Sequence, residues 1–278
     1  MKTLRFTAGP NERGRTLLDA LAGRLGWSRK KAKGLLDARA VHVNGAFVWM
    51  ARHRLRTGDK VQAALPGMRG NDAEATIALL YDDDDCLVAD KPPGMLANER
   101  GSVEARLRVE TGEQELRVAH RLDRDTSGCL LFARHATARE ALVAAFRAGQ
   151  VVKMYHALAW GRPERDEQTL VSTMDGVKAV THVRVLDANR LASHWLVRIE
   201  TGRTHQIRKH LLSLGCPVAG DRQYAGRRTA PVPEIVLPRQ MLHASRIEFP
   251  QPRTGARIRA ESSLPPDFRS ALKRLRLT

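Results

Sequence analysis

Residues 118–134, VAHRLDRDTSGCLLFAR, place a run of charged side chains and a turn between two apolar stretches. Asp123 stands between Arg121 and Arg124, and the apolar residues on both sides predict that the turn lies partly inside a folded domain. The simplest interpretation is a surface loop whose carboxylate is held by a neighbouring arginine. Because burial raises the pKa of a carboxyl while nearby arginines lower it, the alternative is an ionised, poorly solvated Asp123 that acts as a nucleophile or a base.

The composition of the 278-residue chain indicates a globular protein that binds a polyanion. Its hydrophobic content of 42% is ordinary, and 47 Lys and Arg against 30 Asp and Glu give a formal charge of +17. A protein this basic usually neutralises phosphates, so we expect a nucleic-acid partner. No apolar run approaches the ~20 residues of a membrane helix, and we expect no membrane partner. The three cysteines are odd in number and far apart, which favours a cytoplasmic location over a disulfide framework.

Positive charge is concentrated in residues 13–65, which hold twelve Lys and Arg against three Asp. Leucines at helical spacing predict a first helix that ends at Gly26, and Ser28 is a candidate N-cap for a second. Asn44-Gly45, within VHVNGAFV, predicts a β-hairpin. These elements predict a small module of two helices and a sheet.

The second helix of this module carries Arg29, Lys30 and Lys33 on the face away from its apolar residues. Such a charged face is usually only solvated, but its place on a folded unit favours contacts with phosphates. The segments SRKKAKGLLDARAVHVNG and HRLRTGDKVQ resemble the S4-like RNA-binding domain. The resemblance implies that these three side chains bind RNA.

Residues 66–75 are rich in turn formers and predict a linker, so we expect an S4-like domain at 13–65 and a catalytic domain at 76–278. In the larger domain, strand-like segments outnumber helical ones and do not alternate strictly with them. This pattern predicts an α+β fold rather than a doubly wound sheet.

A second concentration of polar residues, TGRTHQIRKHL at 201–211, could supply an arginine partner for Asp123. Metal chemistry is poorly supported, because His205 and His210 are five residues apart rather than the four that place two ligands on one helical face. A metallonuclease is therefore a weak alternative, and no metal site is expected. A serine triad through Ser127 lacks the GxSxG motif.

Five motifs in order resemble the RluA-type pseudouridine synthases over roughly residues 77–252, with an HRLD-x-x-TSG signature at Asp123. The motifs are YDDDDCLVADKPPGML (81–96), HRLDRDTSGCLLFAR (120–134), KMYHALAWG (153–161), ETGRTHQIRKHLLSLGCPVAGDRQYAG (200–226) and LHASRIEF (242–249). The resemblance implies a mixed or antiparallel sheet with flanking helices, preceded by the S4-like module. It also implies an isomerase that converts uridine to pseudouridine in structured RNA without any cofactor.

The resemblance implies a role for four residues. Asp123 matches the catalytic aspartate and Arg208 the arginine that pairs with the catalytic carboxylate. Tyr155 matches the tyrosine that packs on the uracil and is also a candidate to assist proton removal. Arg121 matches the residue that fills the gap left by the flipped nucleotide. Whether Asp123 attacks the base, attacks the sugar or removes a sugar proton stays open.

The RNA itself is not indicated by any residue. Large-subunit ribosomal RNA is our first expectation and transfer RNA the second, and the oligomeric state is open with a monomer favoured. A non-catalytic RNA-binding protein, such as a ribosome-assembly factor with a degenerate synthase domain, is the main alternative. An RNA hydrolase, which would require a metal, is the third.

Overall fold

The computed structural model describes residues 3–37, 40–48, 50–64, 76–99, 101–225, 235 and 237–278. The chain divides into two compact units, Met1–Ala75 and Thr76–Thr278. The predicted linker at 66–75 lies outside the described residues. None of the helices in these ranges is long and apolar enough to cross a membrane.

The smaller unit contains two helices and a four-stranded antiparallel sheet of strand order β1-β4-β2-β3. Its elements are β1 (Thr3–Thr7), α1 (Leu17–Leu25), α2 (Arg29–Asp37), β2 (Val41–Val43), β3 (Ala46–Phe47) and β4 (Lys60–Ala64). The predicted start at residue 13 is wrong for this unit, because it excludes β1, which pairs with β4 along its whole length. No local turn joins these two strands, so sequence periodicity alone did not connect them.

Local signals explain the turns of this unit. Gly26 ends α1 in the left-handed conformation, with φ of 62°. The Ser28 hydroxyl accepts a hydrogen bond of 3.2 Å from the backbone N–H of Lys31 at the start of α2. Asn44 and Gly45 both have positive φ, at 53° and 81°, as the tight turn between β2 and β3 requires.

The larger unit is built on a ten-stranded mixed sheet with helices packed against it. Its strands are β5 (Leu79–Asp82), β6 (Cys86–Lys91), β7 (Arg117–Val118), β8 (Ser127–Ala133), β9 (Val152–Trp160), β10 (Glu167–Met174), β11 (Val177–Ala188), β12 (Ala192–Ile199), β13 (Leu242–Pro250) and β14 (Arg257–Glu261). Its helices are α3 (Val103–Thr111), α4 (Ala136–Arg147), α5 (Gln206–Ser213) and α6 (Pro266–Leu275).

Eight of the strands follow the order β10-β11-β12-β9-β13-β8-β6-β5, with β14 on β13 and β7 on β8. Among the described residues, neighbouring strands pair antiparallel except β13 with β8, so the predicted α+β fold with a mixed sheet is confirmed. Every residue of β8 is buried, because apolar clusters cover this strand on both faces of the sheet.

The parallel contact of β8 with β13 lies directly beyond the segment that holds Asp123. Gly128 has φ of 105°, and a Cβ built on it would lie 2.1 Å from the carbonyl oxygen of Ala244. Only glycine fits such a close approach of two backbones. This packing fixes the C-terminal end of the Asp123 segment in the middle of the sheet.

Candidate active site

The Asp123 segment is a turn that leads into β8. The backbone N–H of Thr126 donates to the carbonyl oxygen of Asp123 at 3.1 Å. The side-chain amide of Gln240 donates to the Thr126 hydroxyl at 2.8 Å and to Asp123 Oδ2 at 3.3 Å. The Asp123 side chain is 24% exposed, so its carboxylate faces an opening while the turn behind it is held.

Lys91 holds this turn through hydrogen bonds to backbone carbonyl oxygens. Its ammonium group is fully buried and donates to the carbonyl oxygens of Arg124, at 2.8 Å, and Pro92, at 2.9 Å. Burial lowers the pKa of Lys91 to about 7, although the negative charge of Asp125 opposes the shift. The backbone N–H of Gly94 donates to the same Arg124 carbonyl at 2.9 Å, so the bend after Lys91 and the Asp123 turn are tied together.

Arg239 supports the other end of the turn. Its guanidinium donates to the carbonyl oxygen of Asp125 at 2.9 Å and to the hydroxyl of Ser127 at 3.2 Å. Asp267, at the start of α6, accepts from Arg239 Nε at 2.7 Å and thereby orients it. The Asp123 turn is thus held by side chains from two distant parts of the chain, Lys91 and the adjacent residues Arg239 and Gln240.

Arg208, on α5, lies between two carboxylates. Its Nη1 is 3.0 Å from Asp123 Oδ2, while its Nε and Nη2 make bonds of 2.5 Å and 2.9 Å to the two carboxylate oxygens of Asp221. Burial opposes ionisation of Asp221, but hydrogen bonds from Arg208 and nearby backbone outweigh it and lower the pKa of this carboxyl. Burial also opposes the charge of Arg208, yet the bonds to Asp221 raise its pKa. Asp221 therefore fixes the guanidinium that contacts Asp123.

His205 is a further neighbour of Asp123. Its backbone is left-handed, with φ of 57°, and its Nδ1 is 2.9 Å from the hydroxyl of Tyr224. Its Nε2 is 3.9 Å from Asp123 Oδ1, which is beyond hydrogen-bond length. Burial lowers the pKa of His205, and the negative charge of Asp123 only partly opposes this shift.

The Asp123 carboxylate opens onto a cavity of about 740 Å³. Tyr155, on β9, forms part of its wall and is only 5% exposed. Burial, with the charge of Asp123, raises the pKa of the Tyr155 phenol, so the ring stays neutral. A second cavity of about 470 Å³ shares Asp123, Arg121 and Arg208 with the first.

The comparisons with known proteins agree with one another. The sequence model of a family described as RNA pseudouridylate synthase matches residues 85–213. The uncharacterized RNA pseudouridine synthase YlyB of Bacillus subtilis is 33% identical over 90% of each chain. The ribosomal large subunit pseudouridine synthase D of Pseudomonas aeruginosa is 33% identical over 96% of this chain and 94% of its own.

The chain belongs to the RNA pseudouridylate synthase family. It is an isomerase that acts on RNA, and these relatives do not support a non-catalytic assembly factor. Among solved structures, human RNA pseudouridylate synthase domain containing 4 aligns with a TM-score of 0.60 at 25% identity, covering 72% of this chain and 94% of that one.

In this pseudouridine synthase, the four residues expected at the active centre lie together. Asp123, Tyr155, Arg208 and Arg121 all line the larger cavity, with Arg121 exposed at its edge. Within the described ranges, no group of three His, Cys, Asp or Glu side chains has the arrangement of a metal site.

The three expected RNA-binding residues of the smaller unit lie on α2. Arg29 forms an ion pair with Asp19 but remains 68% exposed, and Lys30 and Lys33 are also exposed. All three therefore present their side chains to solvent on one helix.

Sequence reasoning missed three residues that hold the site. Asp221, Gln240 and Arg239 are distant from Asp123 along the chain, and no spacing rule links them to it. The Gly-Asp pair at 220–221 was visible only as part of a motif. Its role as the second carboxylate of Arg208 required the three-dimensional contact.

Proposed function

We propose that Asp123 is the carboxylate with which this synthase isomerises a uridine that has been flipped out of structured RNA. The observation that carries the proposal is the chain of contacts from Asp221 through Arg208 to Asp123, beside a cavity walled by Tyr155. The reaction exchanges a carbon–nitrogen bond for a carbon–carbon bond within one nucleotide and needs no energy input. A stacked uridine hides its ring and sugar, so the base must leave the stack to meet a protein carboxylate.

The aromatic wall and the exposed arginine complete the site. Tyr155 packs against the uracil, and because its raised pKa keeps the phenol protonated, we assign it packing rather than proton removal. Arg208 donates a hydrogen bond to the Asp123 carboxylate and holds it in a fixed direction. Arg121, at the rim shared by both cavities, enters the space that the flipped nucleotide leaves.

We further propose that the smaller unit is an S4-like RNA-binding domain. The exposed cations of α2, Arg29, Lys30 and Lys33, would contact phosphates and orient the RNA without reading its sequence. This assignment rests on the charge of the helix face and on the resemblance of the sequence.

For the substrate we propose large-subunit ribosomal RNA, with transfer RNA as the second candidate. Relatives from Nitrosomonas europaea and Pseudomonas aeruginosa, at 32% and 33% identity, are named ribosomal large subunit pseudouridine synthases. A ribosomal substrate places the enzyme in the cytoplasm.

The test is a map of carbodiimide-modified uridines in RNA from cells that lack the gene, complemented with the parent or with Asp123→Asn. We expect deletion to remove a pseudouridine from large-subunit ribosomal RNA and only the parent to restore it. Loss of a transfer RNA site instead would refute the ribosomal assignment. Restoration by Asp123→Asn would refute the assignment of the carboxylate.

A further inference from the structure

The wall of the active-site cavity has more positive charge than its carboxylates balance. Arg121, Arg147, Lys153 and Arg203 all line it, and within the described part of the chain none of these four forms an ion pair with a carboxylate. Of the two carboxylates in the wall, Asp123 contacts Arg208, as described above. The unbalanced charge is therefore available to a bound anion.

The other carboxylate of the wall, Glu200, is engaged elsewhere. Its Oε1 lies 2.7 Å from His182 Nε2 and 3.6 Å from an Arg198 nitrogen. It therefore contacts side chains that do not line the cavity.

Lys153 is the most buried of the four cations. It is 8% exposed, and its Nζ has a single long hydrogen bond of 3.4 Å, to the carbonyl oxygen of Thr201. The ring of Phe146 lies 5.6 Å from Nζ and gives weak additional stabilisation. A buried ammonium group normally finds a carboxylate or several acceptors, because removing it from water is costly. Lys153 has neither.

Arg203 lies close to Lys153 and has an unsatisfied hydrogen-bond donor. Its Nε is buried and has no hydrogen-bond partner among the residues that the structure describes. Burial and the charge of Arg203 together lower the pKa of Lys153 to about 8. Two neighbouring cations that repel each other, one with a buried donor unsatisfied, form a pair that an anion would stabilise.

The backbone next to this pair is open. Gly202 lies between Thr201 and Arg203, and a Cβ built on it would lie 3.8 Å from Lys153 Nζ. The glycine therefore leaves room beside the ammonium group. His120, also in the wall, is neutral, because burial lowers its pKa to about 3 and its Nε2 accepts from the Leu131 N–H at 3.2 Å.

We propose that Lys153 and Arg203 form a phosphate subsite in the wall of the active-site cavity, where they hold a phosphate of the flipped nucleotide. Lys153 and Tyr155 are two residues apart on β9 and both are buried on the cavity face, roughly 7 Å apart along the strand. This spacing lets a uracil lie against Tyr155 while its own phosphate reaches Lys153. The proposal rests on the proposed placement of the base beside Tyr155.

The experiment compares inhibitors of tritium release from RNA that carries [5-³H]uridine, prepared from cells lacking the gene. Uridine, uridine 3′-monophosphate and uridine 5′-monophosphate are each titrated as competitors. For the parent, we expect one monophosphate to inhibit about tenfold more strongly than uridine, the size of one charge-assisted contact. In Lys153→Met this advantage disappears, while inhibition by uridine itself is unchanged.

Two variants serve as controls. Lys153→Arg keeps a cation in the wall and retains most of the phosphate advantage. Lys178→Met removes an exposed lysine of β11 and leaves the ratio at the parent value. Because Lys153→Met removes an ammonium group that burial disfavours, its unfolding temperature is expected to equal or exceed that of the parent.

Equal inhibition by uridine and both monophosphates in the parent would overturn the subsite. A phosphate advantage that survives in Lys153→Met would overturn it as well. If Lys153→Met loses stability while the ratio of monophosphate to uridine inhibition is unchanged, Lys153 has a structural role and the subsite is also overturned. If Lys153→Met does not fold, the ratio is measured in Arg203→Met, where the same loss is expected. Absence of tritium release from the parent would instead refute the proposed substrate, and the two failures are thus distinct.

Discussion

Replacing Arg208 by methionine separates the structural role of this residue from its role in the active site. Arg208 and Asp221 are 7% and 1% exposed, and they share two hydrogen bonds. In Arg208→Met, the Asp221 carboxylate stays buried without its partner, which costs about 3–5 kcal/mol of unfolding free energy. At roughly 2–4 °C per kcal/mol for a domain of this size, the unfolding midpoint falls by about 6–20 °C.

The double variant Arg208→Met/Asp221→Asn removes both charges. The asparagine oxygen still accepts from the backbone N–H groups of Gln223 and Tyr224, which Asp221 Oδ1 now satisfies at 2.9 Å and 3.2 Å. We therefore expect the double variant to recover most of the lost stability, because no unpaired buried charge remains.

The catalytic activity of the double variant is not expected to recover together with its stability. Both variants lack the guanidinium 3.0 Å from Asp123 Oδ2, so tritium release falls by about 100-fold or more, as when one preorganised electrostatic contact is removed. Urea unfolding and tritium release on the same preparations check both expectations. Activity that returns with stability in the double variant would refute the reasoning, since Arg208 would then act only through the fold.

Three further predictions concern charge. Replacing Arg29, Lys30 and Lys33 by alanine lowers RNA affinity and reduces the slope of log affinity against log salt concentration by about one per lost phosphate contact. RNA titrations at several ionic strengths measure this slope, and an unchanged slope would contradict RNA binding by α2. Lys91→Met removes the lysine donor of the Pro92 carbonyl oxygen and one of the two donors of the Arg124 carbonyl oxygen, so kcat falls at least about tenfold while RNA affinity holds. An unchanged kcat would contradict the anchoring role of Lys91. The pKa of Lys153 is about 8 against an ordinary 10.5, so the unfolded chain binds more protons between these values, and Lys153 adds about 3 kcal/mol to the rise of stability with pH there. Lys91, whose pKa is also lowered by burial, contributes to this rise in the parent and in Lys153→Met alike. Urea unfolding at several pH values should therefore show a rise about 3 kcal/mol smaller in Lys153→Met than in the parent, and an equal rise in both would contradict the prediction.

Local chemistry explains which parts of the fold were predictable. The turn at Asn44-Gly45 and the helix end at Gly26 depend on backbone conformations that few other residues adopt, so the sequence alone identifies them. The strand Thr3–Thr7 was missed, because its partner lies more than fifty residues away and no turn residue marks the pairing.

The same distinction applies to the active site. The sequence drew attention to Asp123 through its charged neighbours and to Arg208 through the polar run at 201–211, and the structure places their side chains in contact. Asp221, Gln240 and Arg239 could not be predicted, because their contacts join segments that only the sheet brings together. Polar contacts between distant segments leave no periodic pattern in the amino-acid sequence.

The most direct test of the central claim is tritium release by Asp123→Asn at saturating enzyme, with RNA affinity measured on the same preparation. The asparagine keeps the size of the side chain and a hydrogen-bond acceptor for Arg208, but it removes the negative charge. The account predicts no detectable release with RNA affinity close to that of the parent. Release at a rate comparable to the parent would show that the carboxylate at residue 123 is not the reacting group.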